Sequence, residues 1–198
     1  MIYPRALQNL ISQLSQLPSV GPKTAERYAF YLLRQNDEKL SELSKTIGSL
    51  KENITVCNNC LAIAESTPCA ICADTKRDEK QICVVENIQD LIAIEEINQY
   101  QGKYFVLGGL ISMIDKIGPE KLNIKQLINI VNKGKAKEMI LALNFTLEGE
   151  TTSLYLHKTF KNKLKITRLA KGLPAGSDLK YADQTSLKNA LKFRSEVN

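Results

Sequence analysis

Apolar residues recur at helical spacing through residues 5–50 and predict three helices. The first covers 5–16 and ends before Pro18, and the second begins at Pro22, where the missing N–H costs nothing, and runs to about residue 35. The third is predicted to begin at Asp37 as its N-cap. The predicted inward faces consist of Leu7, Leu10, Ile11 and Leu14, of Ala25, Ala29, Leu32 and Leu33, and of Leu40, Leu43, Ile47 and Leu50.

Beyond residue 80, short apolar runs alternate with amphipathic segments, which implies an α/β fold with a parallel sheet and helices on both faces. Strands are predicted at 82–85, 104–107, 139–143 and 165–169, and helices at 88–97, 124–131, 151–160 and 186–193, the last capped by Asp183. Functional groups of such sheets gather where strands end. Those positions hold Glu86, Gly108, Gly109, Asn144, Glu148 and Glu150.

Composition agrees with a folded protein of one or two domains, since 43% of the 198 residues are hydrophobic and 24% are charged. No apolar run approaches the length needed to cross a bilayer. Residues 1–5 lack the basic segment and apolar run of a signal peptide. We therefore expect a cytoplasmic protein.

Four cysteines form two Cys-x-x-Cys pairs separated by eight residues, 61–68. Two such pairs are typical of one tetrahedral, structural Zn²⁺ site with four thiolate ligands and no open coordination position. Two disulfides or a redox Cys-x-x-Cys pair are the alternatives, which a reducing cytoplasm disfavours. The expected ligands are Cys57, Cys60, Cys69 and Cys72, whereas the fifth cysteine, Cys83, lies in an apolar run and is expected to be buried.

The formal net charge of +6 and the lysine runs in 121–137 and 158–171 point to a polyanionic partner, although solvated lysines are also common on protein surfaces. The chain has no Trp and only 6% aromatic residues, which disfavours recognition by base stacking. Any nucleic-acid binding is therefore expected to be directed at the phosphate backbone and independent of sequence.

The Gly21-Pro22-Lys23 turn between the first two helices has the features of a phosphate-binding site. Gly21 is expected to permit a tight backbone, and the helix that follows offers free N–H groups and the positive end of its dipole. Lys23 lies in the first turn, and Arg27 lies one turn later on the same face. An ordinary helical hairpin with two solvated cations is the alternative interpretation.

These motifs together resemble the RecR family of bacterial recombination mediators. The helix-hairpin-helix segment Leu-Pro-Ser-Val-Gly-Pro-Lys-Thr-Ala-Glu-Arg at 17–27 and the four cysteines stand at that family's positions, and the resemblance covers essentially the whole chain. It implies that Gly21, Lys23 and Arg27 contact DNA. One departure is Ser19, where the family's hairpin usually carries a glycine. The implied parts are a helix-hairpin-helix domain at 1–55, a four-cysteine zinc finger at 56–75, a Toprim domain at 80–170 and a C-terminal segment at 171–198.

The third part resembles the Toprim domain of topoisomerases and primases, whose enzymes combine a first-strand glutamate with an Asp-x-Asp pair to bind magnesium. Glu86 matches the glutamate, but Asn144 stands where the pair should begin, and Glu148 and Glu150 lie further along. An asparagine brings no charge to a magnesium site. We therefore expect a structural or DNA-facing role for this cluster, with two-metal catalysis as the alternative.

The segment 172–183 resembles the Walker B-like loop of the same family, in which this end of the chain helps to close a ring. No Gly-x-x-x-x-Gly-Lys-Ser/Thr phosphate loop exists, so ATP hydrolysis by this chain alone is not expected. Loop packing or a subunit contact is the simpler interpretation.

The resemblance implies a non-enzymatic mediator of bacterial DNA repair that binds single- and double-stranded DNA as a dimer or ring tetramer. Its partners would be RecO-type and RecF-type proteins, with which it loads RecA on gapped DNA in the nucleoid. A metal-dependent nuclease or strand-transfer enzyme using Glu86, Glu148 and Glu150 is the alternative from another class. An architectural adaptor that binds an acidic protein is a third.

Overall fold

The computed structural model describes residues 3–194 and 196. These residues form two compact units, which are divided between Ile54 and Thr55. The resulting fold is mixed α/β, as the sequence predicts. The finer four-part division remains a prediction. No helix in the described part of the chain is both long enough and apolar enough to span a membrane.

The first unit consists of three helices, α1 (Arg5–Leu14), α2 (Pro22–Leu33) and α3 (Asp37–Gly48). Helices α1 and α2 pack through Leu7, Ala25 and Ala29, because two alanines allow close approach of the helices. Two expectations were wrong. Asn36, not Asp37, caps α3, since its side chain accepts the Lys39 N–H at 3.1 Å. The predicted inward faces are also partly wrong. Leu33 is 64% exposed, and three of the four residues predicted to face inward from the third helix are exposed as well: Leu43, Ile47 and Leu50, at 41%, 66% and 59%.

The second unit begins with a small knuckle that carries the cysteine pairs. It consists of the antiparallel strands β1 (Thr55–Val56) and β2 (Ile63–Ala64) and the one-turn helix α4 (Ala70–Ala73). The rest of the unit is a four-stranded parallel sheet in the order β4-β3-β5-β6. Its strands are β3 (Asp78–Val85), β4 (Gly102–Val106), β5 (Glu138–Ala142) and β6 (Lys165–Arg168).

Helices connect these strands, as the alternating pattern predicts. Helix α5 (Ile88–Glu95) follows β3, α6 (Ile124–Asn132) precedes β5, and α7 (Leu147–Phe160) precedes β6. After β6, a segment with one 3₁₀ turn leads to α8 (Gln184–Lys192). Asp183 caps α8 as predicted, accepting the N–H groups of Thr185 and Ser186 at 2.9 Å.

Alternate residues of the strands face two separate cores. Ile82, Val84 and Phe105 pack with residues of α6 and α7 on one face of the sheet. Cys83 and Val85 pack on the other face with Leu91 of α5 and with the cysteine knuckle. The knuckle thus covers part of the sheet where a helix was expected. Burial raises the pKa of the Cys83 thiol to about 12, and its predicted core position is confirmed.

Candidate functional site

The start of α2 leaves backbone donors and two cations exposed. Gly21 precedes the helix without a side-chain cap, and the first helical hydrogen bond runs from Ala25 N–H to Gly21 O at 2.9 Å. The N–H groups of the first turn therefore lack partners within the helix. Lys23 and Arg27 are exposed one turn apart on α2, and the Arg27 guanidinium lies 5.6 Å from the Tyr28 ring centroid. This arrangement can accept an anion.

The tight turn of the hairpin lies at Ser19 rather than at Gly21. Gly21 has φ −78°, which any residue adopts, so the expected need for its conformational freedom was wrong. Ser19 has φ +64°, in the left-handed region that glycine adopts at little cost. Ser19 therefore adopts a left-handed conformation although it is not a glycine.

The sulfur atoms of Cys57, Cys60, Cys69 and Cys72 all lie within 4.8 Å of one another. The β1–β2 hairpin presents the first pair, closed by the Cys57 N–H bond to Ala62 O at 2.9 Å. In the second pair, Cys69 is the N-cap of α4 and Cys72 lies within that helix. The Cys60 and Cys69 sulfurs are 3.6 Å apart, close to the ~3.8 Å edge of a tetrahedron with Zn–S bonds of about 2.3 Å.

Electrostatics at this cluster favour a bound cation. A hydrogen bond with the Cys72 thiol lowers the pKa of Cys60 to about 5, and the same bond raises the pKa of Cys72. Four clustered sulfurs cannot all lose their protons without a compensating charge. A metal ion supplies that charge and takes all four as thiolates. The donor set and its convergence therefore fit a closed, structural metal site.

Two residues of β4 hold the knuckle, and sequence patterns did not reveal them. The Val106 N–H bonds Cys60 O at 2.8 Å. Lys103 Nζ donates to the carbonyl oxygens of Ile71, Cys72 and Asp74 at 3.2, 3.1 and 2.8 Å. Both cysteine pairs are thus fastened to the same edge strand. A lone lysine in a strand carries no signal of such a role.

At the carboxyl ends of the strands, the structure brings together only part of the predicted acidic cluster. Asn144 Nδ2 donates to Glu86 Oε2 at 3.2 Å. Gly108 and Gly109 have φ of +81° and +148°, so the chain turns sharply after β4. Glu148 and Glu150 lie in the first turn of α7, as the sequence allowed. Among the described residues, only the four cysteines bring metal-ligating atoms together, and the acids do not.

Glu150 is engaged by two cations that the sequence analysis did not connect with it. Its carboxylate accepts from Arg168 Nη1 at 2.7 Å and from Lys171 Nζ at 2.5 Å. These bonds, the Arg168 bond first, lower the pKa of Glu150 to about 2. Both cations also lie over the Phe145 ring, at 4.5 and 4.8 Å from its centroid. Glu150 thus belongs to an ion-pair network with Arg168 and Lys171.

Comparison with known proteins gives matches along nearly the whole chain. Family models match at 7–50 ("RecR, helix-hairpin-helix"), 80–170 ("Toprim domain") and 172–195 ("RecR, C-terminal"). The chain is 46% identical to the recombination protein RecR of Moorella thermoacetica, with all of both chains covered. It is 46% identical to that of Bifidobacterium animalis subsp. lactis, over 100% of this chain and 99% of the relative. It is 45% identical to the recombination protein RecR of Gloeothece citriformis, over 97% of this chain and 96% of the relative.

Proposed function

This chain belongs to the RecR family of recombination proteins, and from that membership we propose that it is a non-enzymatic, DNA-binding mediator of recombinational repair. The observation that carries the proposal is the uncapped start of α2, with Lys23 and Arg27 exposed on it, inside the segment that matches the helix-hairpin-helix model. Free N–H groups, a helix dipole and two cations suit phosphate oxygens of any sequence.

Combined substitution of Lys23→Ala and Arg27→Ala tests this phosphate-binding site. We expect weaker binding to single- and double-stranded DNA of every sequence. The slope of log K against log salt concentration should be flatter by about 1.4 to 1.8, since each of the two phosphate contacts contributes about 0.7 to 0.9. Lys39→Ala with Lys45→Ala removes the same charge from exposed positions of α3 and should leave the slope unchanged. If the two double variants showed the same salt dependence of DNA binding, the hairpin would not be the DNA-binding site.

We propose Zn²⁺ as the metal of the cysteine cluster, one ion per chain, with Cys57, Cys60, Cys69 and Cys72 as ligands. Thiolate ligands in a tetrahedral arrangement are the usual surroundings of structural zinc. A reducing compartment supports the same choice, and we place the protein in the bacterial cytoplasm, associated with the nucleoid.

We propose that the Toprim-like edge of the sheet performs no strand cleavage. The Asn144 amide donates to Glu86, and Glu150 is held by two cations, so the described residues assemble no convergent carboxylate set for two-metal chemistry. Supercoiled DNA incubated with the protein and Mg²⁺ should remain intact. Nicking that disappears in Glu86→Gln would instead establish a nuclease.

Family membership also supports the proposed assembly and partners. We propose a homo-oligomer, either a dimer or a ring tetramer, that acts with RecO-type and RecF-type proteins to load RecA on gapped single-stranded DNA. The segment 172–183 would contribute to subunit contacts. Molar mass from light scattering, with and without a RecO-type protein, tests both statements.

A further inference from the structure

The amino ends of three neighbouring strands carry a dense set of lysines, far in sequence from the hairpin. The segments 78–81, 132–138 and 161–165 lead into or begin β3, β5 and β6. They contain three carboxylates, Asp78, Glu79 and Glu138. Their seven lysines, called the lysine edge below, are Lys80, Lys133, Lys135, Lys137, Lys161, Lys163 and Lys165.

Strand pairing brings these segments side by side. The Lys137 N–H bonds Lys80 O at 2.7 Å, and the Lys165 N–H bonds Lys137 O at 2.9 Å. Lys163 Nζ reaches Asn132 Oδ1 at 2.7 Å, which links the second and third segments again. Since parallel strands begin at the same edge of a sheet, lysines from distant parts of the chain form one surface.

Most of this charge is not neutralised by the residues that the structure describes. All seven lysines are exposed. Lys135 pairs with Glu79 at 2.9 Å, and Lys165 lies 3.6 Å from Glu138. The other five have no ion pair within the described part of the chain. The five unpaired like charges repel one another, and a polyanion lying across them would relieve that repulsion.

We propose that the lysine edge is a second DNA-binding surface, opposite the edge that holds Glu86, and that it contacts the phosphate backbone. The three segments contain no aromatic residue, so they offer no platform for stacked bases. The flexible lysine ammonium group is a point charge and lacks the planar hydrogen-bonding geometry of the arginine guanidinium. Such groups are therefore suited to contact phosphates of any base sequence. The inference extends the proposed DNA binding from the hairpin to the second unit.

A charge-matched pair of triple variants tests the lysine edge in the full-length chain. Lys133→Gln, Lys137→Gln and Lys161→Gln together remove three unpaired charges from the edge. Lys39→Gln, Lys45→Gln and Lys51→Gln are the control and remove three exposed lysines of the first unit that lie outside the hairpin. The probe is a fluorescent oligonucleotide, single- or double-stranded, titrated at several salt concentrations, with thermal unfolding to verify that both variants fold.

We expect the edge variant to bind at least about tenfold more weakly near 0.1 M salt, with a salt slope flatter by about 2 to 3 units, and the control to resemble the wild type. Equal DNA affinity and equal salt slope for the two triple variants would refute DNA binding by the lysine edge. The edge would then be a surface suited to an acidic protein. If only Lys23→Ala with Arg27→Ala weakens binding, the hairpin proposal stands alone. A wild-type chain without salt-sensitive DNA binding would overturn both.

Discussion

At the scale of single residues, buried or half-buried cations organise the second unit. Lys103 satisfies three carbonyl oxygens at the end of α4, close to the second cysteine pair. Arg77 bonds the Glu95 carboxylate of α5 and reaches Gly102 O at 3.2 Å. The segment between the cysteine cluster and β3 is thus held from two sides. Such outer contacts orient metal ligands, and the positive charge of Lys103 favours a cluster of thiolates.

Lys103→Met is expected to weaken metal binding about 10- to 100-fold, because outer-shell partners of metal ligands typically contribute that much. Competition for Zn²⁺ with a chromophoric chelator measures the change. Lys133→Met is the matched control. Lys103 and Lys133 both line one cavity of about 230 Å³, but Lys133 makes no hydrogen bond to the knuckle within the described part of the chain. Identical zinc affinities in the two variants would show that Lys103 does not position the site.

Glu150 gives the stability a pH dependence of known sign. Its pKa is about 2 in the folded protein, held down first by the Arg168 hydrogen bond and then by Lys171, against 4.5 ordinarily. The ion pairs therefore contribute fully above about pH 4.5 and are lost as the pH falls towards 2.

Glu150→Gln should lower the unfolding free energy by about 1 kcal/mol or less at pH 7, since the carboxylate is partly exposed, and the difference should vanish towards pH 2. Denaturant unfolding across that range measures it. Glu148→Gln is the control. Glu148 lies in the same turn of α7 and has no ion pair in the described part of the chain, so this variant should be about as stable as the wild type. If the difference in unfolding free energy between the wild type and Glu150→Gln grew as the pH fell, this account would be wrong.

At the scale of elements, the start of α7 is placed by a contact that only glycine permits. A Cβ on Gly149 would lie 1.9 Å from Asn144 O, the carbonyl that follows the end of β5. Thr146 caps the helix by accepting the Gly149 N–H at 3.1 Å. The glycine thus lets the first turn of α7 lie directly against the residue that bonds Glu86.

Gly149→Ala should cost about 1 to 3 kcal/mol, as expected for overpacking a filled site, and should displace Asn144 from Glu86. Chemical denaturation gives the cost, and amide chemical shifts around Asn144 report the displacement. Gly48→Ala is the control, because nothing lies within 4 Å of a Cβ there, and an alanine at the end of α3 should be neutral or slightly stabilising. Similar stabilities for both variants would disprove the close contact.

At the scale of the whole molecule, the cysteine cluster belongs to the core of the second unit. Cys57, Cys60 and Cys69 are buried together with Val85 and Val106 of the sheet. A metal held there therefore supports one face of the sheet as well as the knuckle. The first unit shares none of this core in the described residues.

Removal of the metal with a strong chelator should therefore affect the two units differently. Hydrogen exchange should accelerate at the Val106 N–H, which bonds Cys60 O, and stay unchanged at the Ala25 N–H, which bonds Gly21 O. Mass-spectrometric exchange with elemental analysis of the same samples measures both. Unchanged exchange at Val106 after complete metal loss would mean that the sheet does not depend on the metal.

Much of this architecture was predictable, since neighbouring residues carry the signals. Helical spacing located α1, α2 and α3, and short apolar runs located the four parallel strands within a few residues. Two Cys-x-x-Cys pairs predicted the convergence of four sulfurs. The caps were less certain, because Asn36 and Asp37 are both good N-caps and only the backbone distinguishes them.

The sequence by itself therefore determined the types of element, the four cysteines that converge and the hairpin with its two cations, since each depends on spacing within a few residues. Only the tertiary structure decided that Lys103 holds the knuckle, that Arg168 and Lys171 engage Glu150, and that lysines of three segments form one edge. The physical reason is the strand order β4-β3-β5-β6, because pairing across the sheet brings together residues whose separation along the chain carries no local signal.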